Sequence, residues 1–202
     1  LLAAIDINTV CDTVWAIENL SKGHERQKQI IAESGILELI LPFVSSPNYD
    51  LKSRTLSIFA NLSEGNSILK QCLIDCNVVS VVKPLVLMFS DNHLKKEIMK
   101  MVANISTGSD EQKNYLIKIG YIDILVPLLV LGDENIKQLA TLTLSKLSPK
   151  LDCLQKQYLI DSGVQELLEP LSKDSKSSRT KRFSQDAMSH ILPKTKETVI
   201  II

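Results

Sequence analysis

Val14-Trp15-Ala16-Ile17-Glu18-Asn19-Leu20-Ser21-Lys22-Gly23 has a counterpart 42 residues on, Leu56-Ser57-Ile58-Phe59-Ala60-Asn61-Leu62-Ser63-Glu64-Gly65. A step of 43 residues leads to Met99-Lys100-Met101-Val102-Ala103-Asn104-Ile105-Ser106-Thr107-Gly108. Thr141-Leu142-Thr143-Leu144-Ser145-Lys146-Leu147-Ser148-Pro149-Lys150 comes next, and a worn fifth copy ends Ala187-Met188-Ser189-His190-Ile191-Leu192. Self-similarity at a period of roughly 42 residues is the signature of a stacked-repeat architecture, and it outweighs any single motif.

Two landmark series keep the same step. Gly35, Asn77, Gly120 and Gly163 form one; Pro42, Pro84, Pro127 and Pro170 form the other. Gly or Asn ahead of an apolar run suits a left-handed backbone position between two helices. A proline seven residues later, as in Ile36-Leu37-Glu38-Leu39-Ile40-Leu41-Pro42-Phe43-Val44, is expected to kink the following helix or end its first half. Polar stretches such as Ser45-Ser46-Pro47-Asn48 then offer a loop and an N-cap. The third segment, Tyr49 to Ser63 in one copy, is the longest, with Leu56, Phe59 and Leu62 at helical spacing.

Each unit therefore reads as a short helix, a second helix and a long third helix. A single unit cannot bury its apolar face, so stacking creates the core of a right-handed superhelix. The fold class is all-α, an α-solenoid. Residues 1–23 are a partial repeat, 24–65, 66–108 and 109–150 full ones, and 151–193 a degenerate last one. These form one domain, 1–193, followed by a tail, 194–202. The positions of Ile17 (Phe59, Val102, Leu144, Met188) and of Leu20 (Leu62, Ile105, Leu147, Ile191) are all expected to be buried. Leu1-Leu2 reads as the end of a second helix and Asp6 as a turn. The opening half-repeat leaves apolar surface bare, which predicts a longer parent array. The apolar run Thr198-Val199-Ile200-Ile201-Ile202 is expected to pack on something, with self-association as one outcome.

Composition narrows the function. Twenty-three basic and 23 acidic residues balance in 202, which argues against a generic nucleic-acid binder. The longest apolar run, Ile122 to Leu131, contains Asp123 and Pro127 and stops at Gly132, so no membrane span is expected. Cys11, Cys72, Cys76 and Cys153 do not form a disulfide framework. Cys72 and Cys76 share a helical face but lack further ligands at metal-binding spacing, so they read as small buried hydrophobes in a reducing compartment, cytoplasm or nucleus. His24, His93 and His190 sit near repeat boundaries without a nucleophile at motif spacing. The chain contains no G-x-S-x-G, phosphate-binding loop, dinucleotide fingerprint or zinc ligand set. No catalytic residue, metal or cofactor is expected; an attached enzyme would need catalytic residues outside this chain.

Trp15-Ala16-Ile17-Glu18-Asn19-Leu20-Ser21, with the junctions Glu33-Ser34-Gly35-Ile36-Leu37 and Ile119-Gly120-Tyr121-Ile122, resembles the armadillo repeat family, which includes importin-α and β-catenin. The resemblance covers nearly the whole chain, and the Gly junction and three-helix unit favour it over HEAT repeats. It implies that third helices line a groove holding an extended partner peptide. There an Asn carboxamide offers a donor and an acceptor to peptide backbone, while Trp faces cradle aliphatic stems and cationic heads.

Carried over by position, the Asn ladder is Asn19, Asn61 and Asn104, with Lys146 and His190 replacing it later. The Trp position holds Trp15, Ser57, Lys100, Leu142 and Asp186. One turn earlier lie Cys11 and Asp12, Ser53 and Arg54, Lys96 and Glu97, Gln138 and Leu139, Arg182 and Phe183. The inferred groove has Arg54, Lys96, Lys100, Lys146 and Arg182 as cations and Asp12, Glu97 and Asp186 as anions, a mildly basic lining. The implied function is a non-enzymatic scaffold for an acidic or mixed-charge extended segment of another protein. Trp15, Asn19, Arg54, Ser57, Asn61, Lys96, Lys100, Asn104 and Lys146 are its groove residues. The Trp15–Asn19 pair motivates the alternative, a divergent importin-α-like adaptor for nuclear localisation signals. Plainer roles stand beside these. The Asn side chains can serve contacts between repeats, Trp15 can fill an edge of the core, and single lysines can be solvated. The Ser-rich basic run at 173–182 reads as a surface helix start, with a regulatory phosphosite or a localisation signal as the other readings.

Overall fold

The left-handed junctions predicted from the Gly/Asn series recur through a computed structural model, which describes residues 6–174 and 177–193. Gly35, Asn77, Gly120 and Gly163 take φ of 73°, 58°, 76° and 72°. Each ends one helix and starts another, because the reversed φ stops the i→i−4 ladder and re-aims the chain. At Asn77 the axis turns by 66°. A Cβ at Gly35 would meet nothing within 4 Å. Gly35→Ala should therefore cost only the backbone term, about 1–2 kcal/mol, and Gly35→Asn clearly less. Urea denaturation of the two variants measures this; equal losses would contradict it.

The described residues are helical throughout, without a strand. They fall into two units, one ending at Ile119 and one starting at Gly120. Unit 1 contains α1 (Ile7–Ser21), α2 (Glu25–Glu33), α3 (Ile36–Ile40), α4 (Tyr49–Ser63), α5 (Ser67–Asp75), α6 (Val78–Val82), α7 (Leu85–Met88), α8 (Asn92–Ser106) and α9 (Asp110–Lys118). Unit 2 contains α10 (Ile122–Leu131), α11 (Glu134–Leu147), α12 (Cys153–Asp161), α13 (Val164–Asp174) and α14 (Ser178–Ile191). The long third helices are α1, α4, α8, α11 and α14. Asn48, Asp91, Asp133 and Ser177 accept backbone N–H groups at the starts of α4, α8, α11 and α14, satisfying donors with no intrahelical partner. Asp6 stands at the same place before α1 without a side-chain bond.

The prolines act differently in the two units. Pro42 opens a 3-10 turn, Leu41–Ser45, after α3, and Pro84 separates α6 from α7. Pro127 and Pro170 instead lie inside α10 and α13, which continue through them.

The core of unit 1 forms where α4 packs against α1 and α8. Leu56, Ile58, Phe59 and Leu62 of α4, with Met99, Met101, Val102 and Ile105 of α8, are at most 2% exposed. In unit 2, α11 and α13 pack on α14, burying Leu144, Leu147, Leu168, Ala187 and Ile191. Three of the ten expected core positions depart from expectation. Leu20 is 49% exposed, and Ile17 and Met188 are half-buried. Among the described residues α1 packs chiefly on α4 and α2, so its far face has no neighbour. Leu62, at the matching position, belongs to a helix held on both sides. Met188 stands on α14, the last described helix, which likewise has neighbours on one side. Leu1-Leu2, the 198–202 run and Ser175-Lys176 lie outside the described residues.

Candidate functional site

The sequence-derived groove residues all fall on third helices. Trp15 and Asn19 stand on α1, Arg54, Ser57 and Asn61 on α4, and Lys96, Lys100 and Asn104 on α8. The packing of α4 against α1 and α8 brings these eight together in unit 1. Lys146 stands on α11 in unit 2.

Trp15 does not fill an edge of the core: it is 52% exposed. It lines an open cleft of about 370 Å³ with Cys11, Asp12, Asp50 and Arg54. The two carboxylates are exposed and Cys11 is half-buried. Arg54 does not present its charge freely, because its guanidinium donates to Glu18 Oε2 at 2.9 Å. The other Glu18 oxygen accepts from Lys22 Nζ at 2.7 Å. The cleft thus combines an open indole face with Asp12 and Asp50, next to an arginine already engaged.

The Asn ladder divides. Asn19 is exposed. Asn61 is 8% exposed, and its Nδ2 donates to Ser21 Oγ on the preceding third helix at 3.0 Å. Asn104, half-buried, repeats the bond to Ser63 Oγ at 3.0 Å. Each serine passes its own hydrogen back to a carbonyl of its helix, Ser21 to Glu18 and Ser63 to Ala60, both at 2.6 Å. The amides therefore clasp successive third helices. Each carboxamide still carries a second N–H and an oxygen, so the clasp aims the group without exhausting it.

Unit 1 also loses part of its inferred basic excess. Lys100 Nζ lies 2.6 Å from Glu64 Oε1, as Arg54 does beside Glu18. Neither glutamate was in the sequence-derived groove, since each reaches its partner across the gap between helices. Ser57 is half-buried and Lys96 exposed. In unit 2 the Lys146 ammonium sits 5.8 Å from the centre of the Phe183 ring.

One lysine series was missed although the repeat step displays it: Lys28, Lys70, Lys113 and Lys156. Lys28, 8% exposed, donates to the Asn61 carbonyl at 2.7 Å near the end of α4. Lys70 donates to Thr107 Oγ1, just past α8, at 3.2 Å, and burial lowers its pKa. A cation at a helix C-terminus meets the negative end of the dipole. The cysteines also differ from expectation. Cys72 and Cys76 are half-buried, and the Cys76 thiol donates to Glu38 Oε1 at 3.2 Å. Burial, then the Glu38 carboxylate, pushes that thiol up to about 12, so thiolate chemistry is suppressed. Among the described residues no three His, Cys, Asp or Glu side chains gather to hold a metal, and no single helix is long and apolar enough to cross a membrane.

Left-handed junctions at a fixed step thus alternate with long third helices, in a repeat that runs through both units. The family model described as Armadillo-like matches residues 10–180. The chain belongs to the Armadillo-like family. Its fold is an all-α solenoid of armadillo repeats. Solved structures agree. A designed armadillo repeat protein in complex with the peptide (KR)4 is 25% identical, with a TM-score of 0.78 over 95% of this chain and 79% of that one. A second designed armadillo repeat protein is 25% identical, with a TM-score of 0.82 over the same shares. Armadillo proteins computationally designed for modular peptide recognition are 24% identical, with a TM-score of 0.81 over 94% of this chain and 79% of theirs, a likeness of fold. No curated protein matches the sequence.

Proposed function

We propose that this armadillo chain is a non-enzymatic scaffold whose third-helix face holds an extended, mixed-charge segment of a partner protein. The observation that carries this reading is the Trp15 cleft. An indole left 52% exposed beside two exposed carboxylates offers a cationic side chain both a π face and counter-charge. Stacking of that kind contributes about 0.5–2 kcal/mol according to how far water is excluded. The similar designed protein in complex with (KR)4 supports basic side chains as occupants of such a surface. Lys96, exposed on α8, favours acidic side chains elsewhere along the same segment. The partly free amides of Asn61 and Asn104 suit the backbone between them.

A second reading, an importin-α-like adaptor for a wholly basic signal, draws support from Trp15 and Asn19 standing exposed one turn apart on α1. Titration with (KR)4 and with an acidic octapeptide, followed by Trp15 fluorescence, tests both. Asp12→Asn with Asp50→Asn should weaken (KR)4 binding about 3- to 10-fold, the size expected for two solvent-exposed charge contacts. Undiminished binding in the double variant would remove the cleft from the site. Equal preference for basic residues at every peptide position would favour the adaptor.

A further inference from the structure

Unit 2 departs from the clasp pattern at the position where unit 1 has Asn61 and Asn104. Those amides reach back to serines on the preceding third helix. In α11 the residue is Lys146, and its ammonium instead reaches forward to α14, 5.8 Å from the Phe183 ring centre. The Arg182 guanidinium lies 5.4 Å from the same ring centre. Phe183 is only 8% exposed, so packing fixes the ring on which both cations rest. Lys146 is half-buried and Arg182 exposed.

The two cations differ from two cations on the third helices of unit 1. Arg54 and Lys100 each face a carboxylate within 2.9 Å. Lys146 and Arg182 form no ion pair among the described residues. Asp186, one turn beyond Arg182 on α14, is half-buried and makes no such pair either. Lys181 and Lys150 add positive charge nearby in sequence, and His190 spends Nδ1 on the Asp186 carbonyl at 2.7 Å. Neither cation spends its charge on a carboxylate among the described residues, so both keep hydrogen-bonding capacity. An incoming anion engages them without breaking an existing ion pair, so little is lost on binding.

We propose that Lys146 and Arg182, gathered at Phe183, form a subsite on unit 2 for an anionic side chain of an extended peptide segment. The proposal rests on the reading of third helices as a peptide-binding surface and names the chemistry of unit 2's own third helices. The shared chemistry is an anionic oxygen group, from a glutamate or aspartate carboxylate or from phosphoserine.

The test uses the full chain labelled with nitrogen-15 and three capped octapeptides: (Ser-Glu)4, its glutamine counterpart (Ser-Gln)4, and (Ser-Gln)4 carrying phosphoserine. (Ser-Glu)4 should shift the Arg182 side-chain signal and the amides around Phe183, while (Ser-Gln)4 should leave them in place. Lys146→Gln with Arg182→Gln should weaken (Ser-Glu)4 binding at least tenfold while thermal melting stays unchanged. Phe183→Leu keeps both charges and should weaken it several-fold. Tighter binding of the phosphoserine peptide would identify the preferred anion as phosphoryl; tighter binding of (Ser-Glu)4 would identify carboxylate. If (Ser-Glu)4 shifts the Trp15 indole signal but the Lys146 and Arg182 variant binds it as tightly as the parent, the subsite is overturned and the groove reading stands. If no peptide, (KR)4 included, moves any third-helix signal, both fall.

Discussion

Phe59→Ala is expected to destabilise the protein by about 3–5 kcal/mol, the range for emptying a buried phenylalanine site. Phe59 is 1% exposed in the C-terminal half of α4, the helix held between α1 and α8. Its neighbours in the repeat frame, Leu56, Leu62, Met99 and Val102, are equally covered. Truncation leaves the space of the ring unfilled, and the packed helices around it cannot close on that space without losing their own contacts. Ile17→Ala provides the comparison, because Ile17 occupies the same repeat position but is half-buried on α1. Its cost should be less than half as large. Urea melts followed by circular dichroism measure both. In a stack of repeats each unit leans on its neighbours, so the Phe59 variant should also broaden the transition. Equal losses in the two variants would show that coverage by neighbouring helices does not set the energetics of this position.

The same pair shows how far the fold was legible in the sequence. Apolar spacing told which face of each third helix seeks cover, and the bounds expected for α4, Tyr49 to Ser63, agree with the structure. Spacing does not tell whether a neighbour is present to supply that cover, so Ile17, Leu20 and Met188 were placed in the core with their fully covered counterparts. The Gly35, Asn77, Gly120 and Gly163 junctions were legible because a positive φ restricts residue type severely. The prolines were less so. Pro42 and Pro84 interrupt their helices, but Pro127 and Pro170 do not, since tertiary packing decides whether a lost hydrogen bond ends a helix.

Within the site, helix and face were readable but pairing was not. Arg54 and Lys100 read as free cations in the sequence because their partners lie 36 residues away, Glu18 on α1 and Glu64 just past the end of α4. A one-dimensional inventory of groove positions omits side chains that reach in from beside the groove. The series Lys28, Lys70, Lys113 and Lys156 was legible at the same step as the glycines. Two of its members, Lys28 and Lys70, reach the end of a third helix, and that contact is not visible in the spacing. Lys146 at Phe183 was not legible, because an Asn-to-Lys change in the ladder shows a lost amide but not the direction in which the longer side chain turns.

Asn61→Ala combined with Asn104→Ala is expected to cost about 2–4 kcal/mol of stability, roughly one buried hydrogen bond and its packing at each site. In each case the amide holds the serine of the preceding third helix at 3.0 Å. That serine is already tied to its own helix through a carbonyl, so the bond joins two backbones through two short side chains. Asn61 is the more buried of the two and should account for the larger part. Asn19→Ala serves as the control. Asn19 is exposed, and its replacement should change stability by less than about 0.5 kcal/mol. Ser21→Ala should add little to Asn61→Ala, because the contact is already gone, giving a coupling of about 1 kcal/mol in the double-mutant cycle. An additive cycle would mean that the clasp contributes nothing and that the amides are kept free for a ligand. With coupling present, loss of peptide binding in the Asn61 and Asn104 variants cannot be assigned to lost ligand contacts alone. The clasp also sets the spacing of the helices that carry Trp15, Arg54 and Lys100. Binding measured against Asn19→Ala, which leaves that spacing intact, separates contact with the peptide from the geometry that receives it.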